Sequence, residues 1–252
     1  MKKKTLTILA ALLLFMFFVQ PVAANENWEL VEEKNGVQLY KKDVVGSRYN
    51  AFMAVTEIDA VMAAIGAALR DVPAYPEWME TIKEAHLLEQ YDANNMDVYL
   101  VMEIPFPFKD RDAVVKAETT IDPQNGAVTA SSRIITNASV PEQKGLVRLP
   151  YIAQTFRLAY KSYETTEVTF TLHVETGGYL PADAVNMVTQ SVPYKSLQNL
   201  RQIVRKEKYQ AANPFTPINI GITKTITKSI LKQYITDDEI INMVVSDRKL
   251  LD

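Results

Sequence analysis

The stretch VYLVMEIPFPFKDRDAVV, residues 98–115, decides how the rest of the chain is read. It opens as a strand that is apolar on both faces. Val98, Leu100, Met102 and Ile104 share one face; Tyr99, Val101 and Glu103 share the other. Both faces must therefore be covered by something. Glu103 sits inside this strand, and an ionised carboxylate there costs several kcal/mol unless it is paired and hydrogen-bonded. Two prolines follow, then Lys109-Asp-Arg-Asp112, then a second apolar strand. Lys109 and Asp110 read as a solvated turn whose ion pairs contribute well under ~1 kcal/mol.

Outward from this stretch, strands dominate. Period-two or apolar runs predict strands over 37–42, 47–55, 82–90, 97–104, 113–121, 128–136, 153–160 and 167–175. The turns between them carry their own chemistry: Asp92-Ala-Asn-Asn95, Asp122-Pro-Gln-Asn-Gly126 and Lys144-Gly145. Residues 25–36 read as a polar lead-in. One early helix is predicted over 59–70, with Asp59 as its N-cap.

After Gly177-Gly178 the period changes to 3.6. Val185, Val188, Val192, Ser196, Leu200 and Val204 line one face of a helix over 181–208, with a kink expected at Pro193. Beyond residue 210 lies a C-terminal extension, where Thr236 and Glu239 form a capping box. Many antiparallel strands followed by one long closing helix predict an α+β domain in which a curved sheet wraps a helix.

Composition narrows the function. Lys2, Lys3 and Lys4 precede an apolar run and Pro21-Val-Ala-Ala24, which reads as a signal peptide over 1–24, cleaved after Ala24. The expected location is periplasmic or secreted; an uncleaved N-terminal anchor is the alternative. The chain has no Cys, so disulfides, thiol chemistry and a lipid-anchored cysteine are excluded. Without the three lysines, 24 Lys+Arg stand against 30 Asp+Glu, a net charge of −6. That balance points away from nucleic acid and from strong attraction to anionic lipid surfaces.

His86 and His173 are the only histidines, and neither has a Ser, Cys or carboxylate at a motif spacing. The eight glycines form no phosphate-cradling loop. No cofactor or metal is expected, and residues 25–210 are long enough to form one monomeric domain without staples.

Three further stretches carry a resemblance. Lys109-Asp-Arg-Asp-Ala-Val-Val115 is similar to the Arg-Asp-aromatic-Val motif of the START family of lipid-transfer domains, with Ala113 in place of the aromatic. Val140-Pro-Glu-Gln-Lys-Gly-Leu-Val-Arg148 resembles that family's loop and strand before the second half of the sheet. Gly178-Tyr-Leu-Pro-Ala-Asp-Ala-Val-Asn186 resembles the opening of its C-terminal helix. Trp28, Gly36-Val-Gln-Leu-Tyr40 and Trp78 also fit, and the ordered match runs over 27–209.

The resemblance implies a helix-grip fold: an antiparallel sheet around a long C-terminal helix, with a tunnel between them for one lipid or sterol-like molecule. Some members carry a buried acid at the position of Glu103, with a basic partner one strand over, where this chain has Ala117. Arg133 is the substitute. Glu103 and Arg133 are therefore expected to meet in the tunnel as a polar spot for a ligand hydroxyl or head group.

The tunnel wall is expected from Tyr99, Val101, Phe170, Leu172 and Val174 on the sheet, faced by Val185, Val188 and Val192 on the helix. Met187 would gate the mouth and Tyr151 would belong to a lid. The function that follows is non-catalytic binding and transport of a lipid, with transient membrane contact. The alternatives are a polyketide cyclase or aromatase using Glu103 or a tyrosine as acid or base, and a protein-interaction module using the 236–251 helix.

Overall fold

The computed structural model describes residues 28–137 and 139–211; the signal segment and the 236–251 helix lie outside the described residues. The chain opens with strands β1 (Glu29–Lys34), β2 (Val37–Lys42) and β3 (Ala51–Ile58). Helix α1 (Met62–Arg70), a 3-10 turn (Val72–Ala74) and one helical turn, α2 (Tyr75–Trp78), follow. Seven strands come next: β4 (Ile82–Gln90), β5 (Asn95–Met102), β6 (Arg111–Ile121), β7 (Val128–Ile134), β8 (Val147–Arg148), β9 (Tyr151–Ser162) and β10 (Thr165–Glu175). The long helix α3 (Ala182–Ile203) and the short α4 (Glu207–Gln210) close the domain.

One sheet holds all ten strands, in the order β1-β2-β3-β10-β9-β7-β6-β5-β4, with β8 pairing in parallel beside β6. Every other pairing is antiparallel. Strands β10 and β3 join the chain's late and early hairpins, so the sheet curves around α3, which packs on β2, β3 and β10. This is the α+β helix-grip architecture.

Strand β10 shows the physical basis most plainly. Val168, Phe170, Leu172 and Val174 are buried, while Thr169, Thr171 and His173 alternate with them on the other face. Leu197, Leu200 and Val204 of the closing helix are fully buried in the same core.

The differences from the sequence reading lie at element ends and in short elements it did not predict: β1, β8 and the helical turns over 72–78. β1 is exposed along its whole length and carries no apolar face, so the lead-in reading missed an edge strand held by backbone pairing with β2. Helix α1 starts at Met62 with Val61 at its N-cap; Asp59 makes no cap. Pro193 lies buried inside an unbroken helix. Its ring removes the N–H that would reach the Thr189 carbonyl, but the flanking turns remain helical.

Helix and sheet are also tied by a polar contact. The Arg201 guanidinium donates to the carbonyls of Asn35 (2.7 Å), Gly36 (3.0 Å) and Glu57 (3.2 Å), and to the Thr56 hydroxyl. Gly36 turns the β1–β2 hairpin at φ +68°, and a Cβ there would stand 3.2 Å from Arg201 Nη2. Replacing Arg201→Ala removes these four contacts and leaves Thr56 as the side-chain donor to the Gly36 carbonyl. The expected loss is about 1–3 kcal/mol in urea unfolding, with an unchanged m-value.

Candidate functional site

Between the sheet and α3 lies a cavity of about 290 Å³. Its sheet wall is Leu100 and Met102 of β5, Ile152 and Gln154 of β9, and Leu172 and Val174 of β10. Val185, Val188, Thr189 and Val192 face them from α3. Ile104, Pro105 and Phe108, from the loop after β5, cover one side. The lining is overwhelmingly apolar, as pockets for hydrophobic molecules are.

The cavity ends where the aromatic core begins. Phe170 lies two residues beyond Leu172 on the same face of β10 and stacks on Phe156 at 4.0 Å; Trp78 meets Phe156 edge-on at 5.9 Å. All three are almost fully buried and none of them lines the cavity. Phe170 is thus core beside the cavity rather than wall. Met187 is 69% exposed and stands at the mouth.

Tyr99 and Val101 do not face the cavity. Leu100 and Met102 do, so period two sends their neighbours to the outer side of β5. There Tyr99 stacks on His86 and donates from its hydroxyl to Asp112 Oδ2 at 3.2 Å, while Val101 is buried. Burial and the Asp112 charge push the Tyr99 hydroxyl up to about 12. Tyr151 is likewise on the outer side, half exposed and tilted against His173.

The Glu103–Arg133 pair is not formed. Strand β5 ends at Met102; Glu103 turns to solvent, and its N–H donates to the Thr81 carbonyl. Arg133 is exposed and lies 3.7 Å from Glu118. The register explains the separation. Arg133 sits opposite Lys116, and Lys116 opposite Asp97, six residues along β5 from Glu103, or roughly 20 Å.

Among the described residues the buried charges are instead Asp97 and the two neighbours that follow Asp110. Strand β6 starts at Arg111, so Arg111 and Asp112 point to opposite faces, and both are nearly free of solvent at 3% and 0% exposure. Asp112, on the outer face, accepts a two-pronged bond from Arg148: Nε at 3.0 Å and Nη2 at 2.8 Å. Arg148 also donates to the Val140 and Pro141 carbonyls, so the pair stitches the 135–149 loop across the sheet. The Asp112 carboxylate holds the Arg148 guanidinium above its usual range.

Arg111, on the inner face, lines the cavity and donates to the carbonyls of Thr176 (3.2 Å), Gly177 (3.3 Å) and Lys109. The sequence reading missed both residues because it began this strand at Ala113. Starting it two residues earlier would have continued the alternation of Ala113 and Val115 to Arg111, and of Val114 to Asp112.

The loop that covers the cavity is held by Asp110. Its Oδ1 accepts from the Ile104 N–H at 3.0 Å, and its Oδ2 accepts from Lys83 Nζ at 3.1 Å. The Ile104 N–H is the chief cause that holds the Asp110 carboxyl below the usual range; Lys83 adds to it.

A sequence model of the START domain matches residues 16–209. The chain belongs to the START domain family. An uncharacterised protein of Pseudomonas aeruginosa is 32% identical over 206 residues, covering 80% of this chain and 96% of that protein. Mouse StAR-related lipid transfer protein 7 is 24% identical over 144 residues; the match spans 55% of this chain but 38% of the mouse protein. Among solved structures, the STAR-related lipid transfer protein fragment from Xanthomonas axonopodis superposes with a TM-score of 0.66 at 26% identity, covering 71% of this chain and 99% of that one.

In this START domain the outer-face pair and the cover loop give separate tests. Arg148→Met leaves Asp112 buried without its counter-charge, an expected loss of about 3–5 kcal/mol, or roughly 6–20 °C in Tm. Asp112→Asn should cost less, because the half-buried Arg148 still reaches water, and the double variant should cost less than the two losses added, as a double-mutant cycle would show. Asp110 has a depressed pKa in the folded chain. It therefore adds stability above the unfolded carboxylate range and loses it as pH falls through the folded value. Below about pH 4 the cover loop should loosen, read as faster exchange of the Ile104 amide than of the β10 amides, beyond the intrinsic change with pH.

Proposed function

We infer that the domain binds one lipid or lipid-like molecule in this cavity and carries it, without chemistry, as an exported protein. The observation that carries the reading is the 290 Å³ apolar hollow between sheet and α3, covered on one side by a loop. A binding role for a hydrophobic molecule fits a START domain with lipid-transfer relatives.

Two features support carriage rather than catalysis. The ionisable side chains on the cavity wall are Glu80 and Arg111, and each is committed: Glu80 to Lys195 at 2.8 Å, Arg111 to backbone carbonyls. Neither is paired with a second group of the kind that shares a proton in acid–base work. Around the covered side, large apolar side chains stand in solvent: Phe106 at 96%, Tyr179 at 81% and Met187 at 69% exposure. Phe106 belongs to the cover loop and Tyr179 precedes the cavity residue Leu180. These are the side chains through which a brief membrane contact would be made, since isolated apolar groups of this size partition into the interface. The acidic chain keeps that contact weak.

Native mass spectrometry of protein purified from its own host should show one copurified lipid per chain. Val188→Trp, which fills the hollow from α3, should keep the circular dichroism spectrum and lose the lipid. The wild type should move lipid between vesicles faster than Phe106→Ser does. A lipid-free wild type that takes up none from vesicles would overturn the reading.

A further inference from the structure

The cavity is apolar and carries one positive charge that no protein carboxylate neutralises. Arg111 is 97% removed from solvent, yet among the described residues no acid approaches its guanidinium within 4 Å. Asp110, next to it in sequence, spends its oxygens on the Ile104 N–H and on Lys83 Nζ. Asp112 points to the other face and belongs to Arg148. Glu80, the acid on the cavity wall, is neutralised by Lys195.

Three of the five N–H groups of Arg111 go to carbonyls, one from each nitrogen. Two remain, one on each terminal nitrogen, and a guanidinium with terminal N–H groups to spare can donate to the oxygens of an anion. Backbone carbonyls fill hydrogen-bonding positions but bring no net charge, so the burial of the cation is left uncompensated. The first turn of α3 adds to the field. Ala184 and Val185 line the same cavity, no side chain caps this helix end, and Asp183, the acid of that turn, faces solvent.

We propose that the cavity selects a single-chain lipid with an oxyanion head, a carboxylate or a phosphate, which Arg111 receives while the chain lies along the apolar wall. This rests on the lipid-binding reading above and narrows it. The volume agrees: about 290 Å³ is at the lower edge of small-molecule pockets, which suits one slender chain rather than two. Burial works against the charge on Arg111, opposed by the fields of Tyr49 and Asp110, so a bound anion would relieve a cost already present.

The test is calorimetric titration of the delipidated protein with four C12 probes below their aggregation concentrations: dodecanoate, dodecyl phosphate, dodecanol and methyl dodecanoate. The two anions should bind about ten- to a hundredfold tighter than the two neutral probes, the range for a charge-assisted hydrogen bond. The tighter of the two names the head group. Arg111→Gln should remove that preference while binding of dodecanol persists. Should that variant not fold, the wild-type comparison decides alone. Equal affinities for charged and neutral probes would overturn the proposal and leave the carrier reading standing. Binding of none of the four, together with no uptake of lipid from vesicles, would overturn both.

Discussion

Arg111 and Asp112 are consecutive residues of one strand, and both are taken out of water. A strand must send them to opposite faces, so each needs its own solution. Asp112 is answered by Arg148, and through it by the Val140 and Pro141 carbonyls, which pins the 135–149 loop to the outer face. Arg111 is answered by the Thr176 and Gly177 carbonyls, which fixes the chain where it leaves β10 for α3. The two solutions meet at Gly177. It holds φ +62°, and a Cβ there would lie 3.2 Å from the Arg148 carbonyl and from Pro150 Cδ. One dipeptide therefore positions the outer loop, the entry to the closing helix and one edge of the cavity.

That constraint bears on why a hollow persists in a domain otherwise filled with side chains. The sheet is held by continuous backbone ladders and cannot easily collapse. The helix is anchored at its far end by Arg201 and at its near end by the Arg111 carbonyl contacts. Valines at 185, 188 and 192 are too short to reach across. An apolar wall left without a guest forgoes the dispersion contacts and burial that a close-packed interior would have. A guest that fills the hollow recovers much of that, so ligand binding and folding stability are coupled in this architecture.

The fold was legible because it rests on periodicity. The alternation of Val168 to Val174, the turn residues at 92–95 and 122–126, and the switch to helical spacing after Gly178 are local signals that tertiary packing reinforced. β1 was illegible for the opposite reason: an edge strand held by backbone bonds leaves no mark on side-chain pattern. The helix side of the cavity could be named, since Val185, Val188 and Val192 share one face. The sheet side was half misassigned. Both faces of β5 are apolar, and only the register with β6 shows that Leu100 and Met102 look inward while Tyr99 and Val101 look outward. A single residue's shift in phase changes every assignment on a strand.

The same loss of phase hid the charged residue that matters. Glu103 looked buried because it followed apolar residues, but the strand ends one residue before it. Arg111 was left between a turn read at Lys109 and Asp110 and a strand read from Ala113, but the strand begins at it. The sequence reading thus placed an ion pair in the tunnel, whereas the structure places a cation there with no acid paired to it among the described residues. An ion pair is self-sufficient and offers a ligand only hydrogen bonds; a lone buried cation asks for a charge. Specificity in such a cavity comes less from the apolar wall, which accepts any chain of the right girth, than from which polar group is left unmatched when the site is empty.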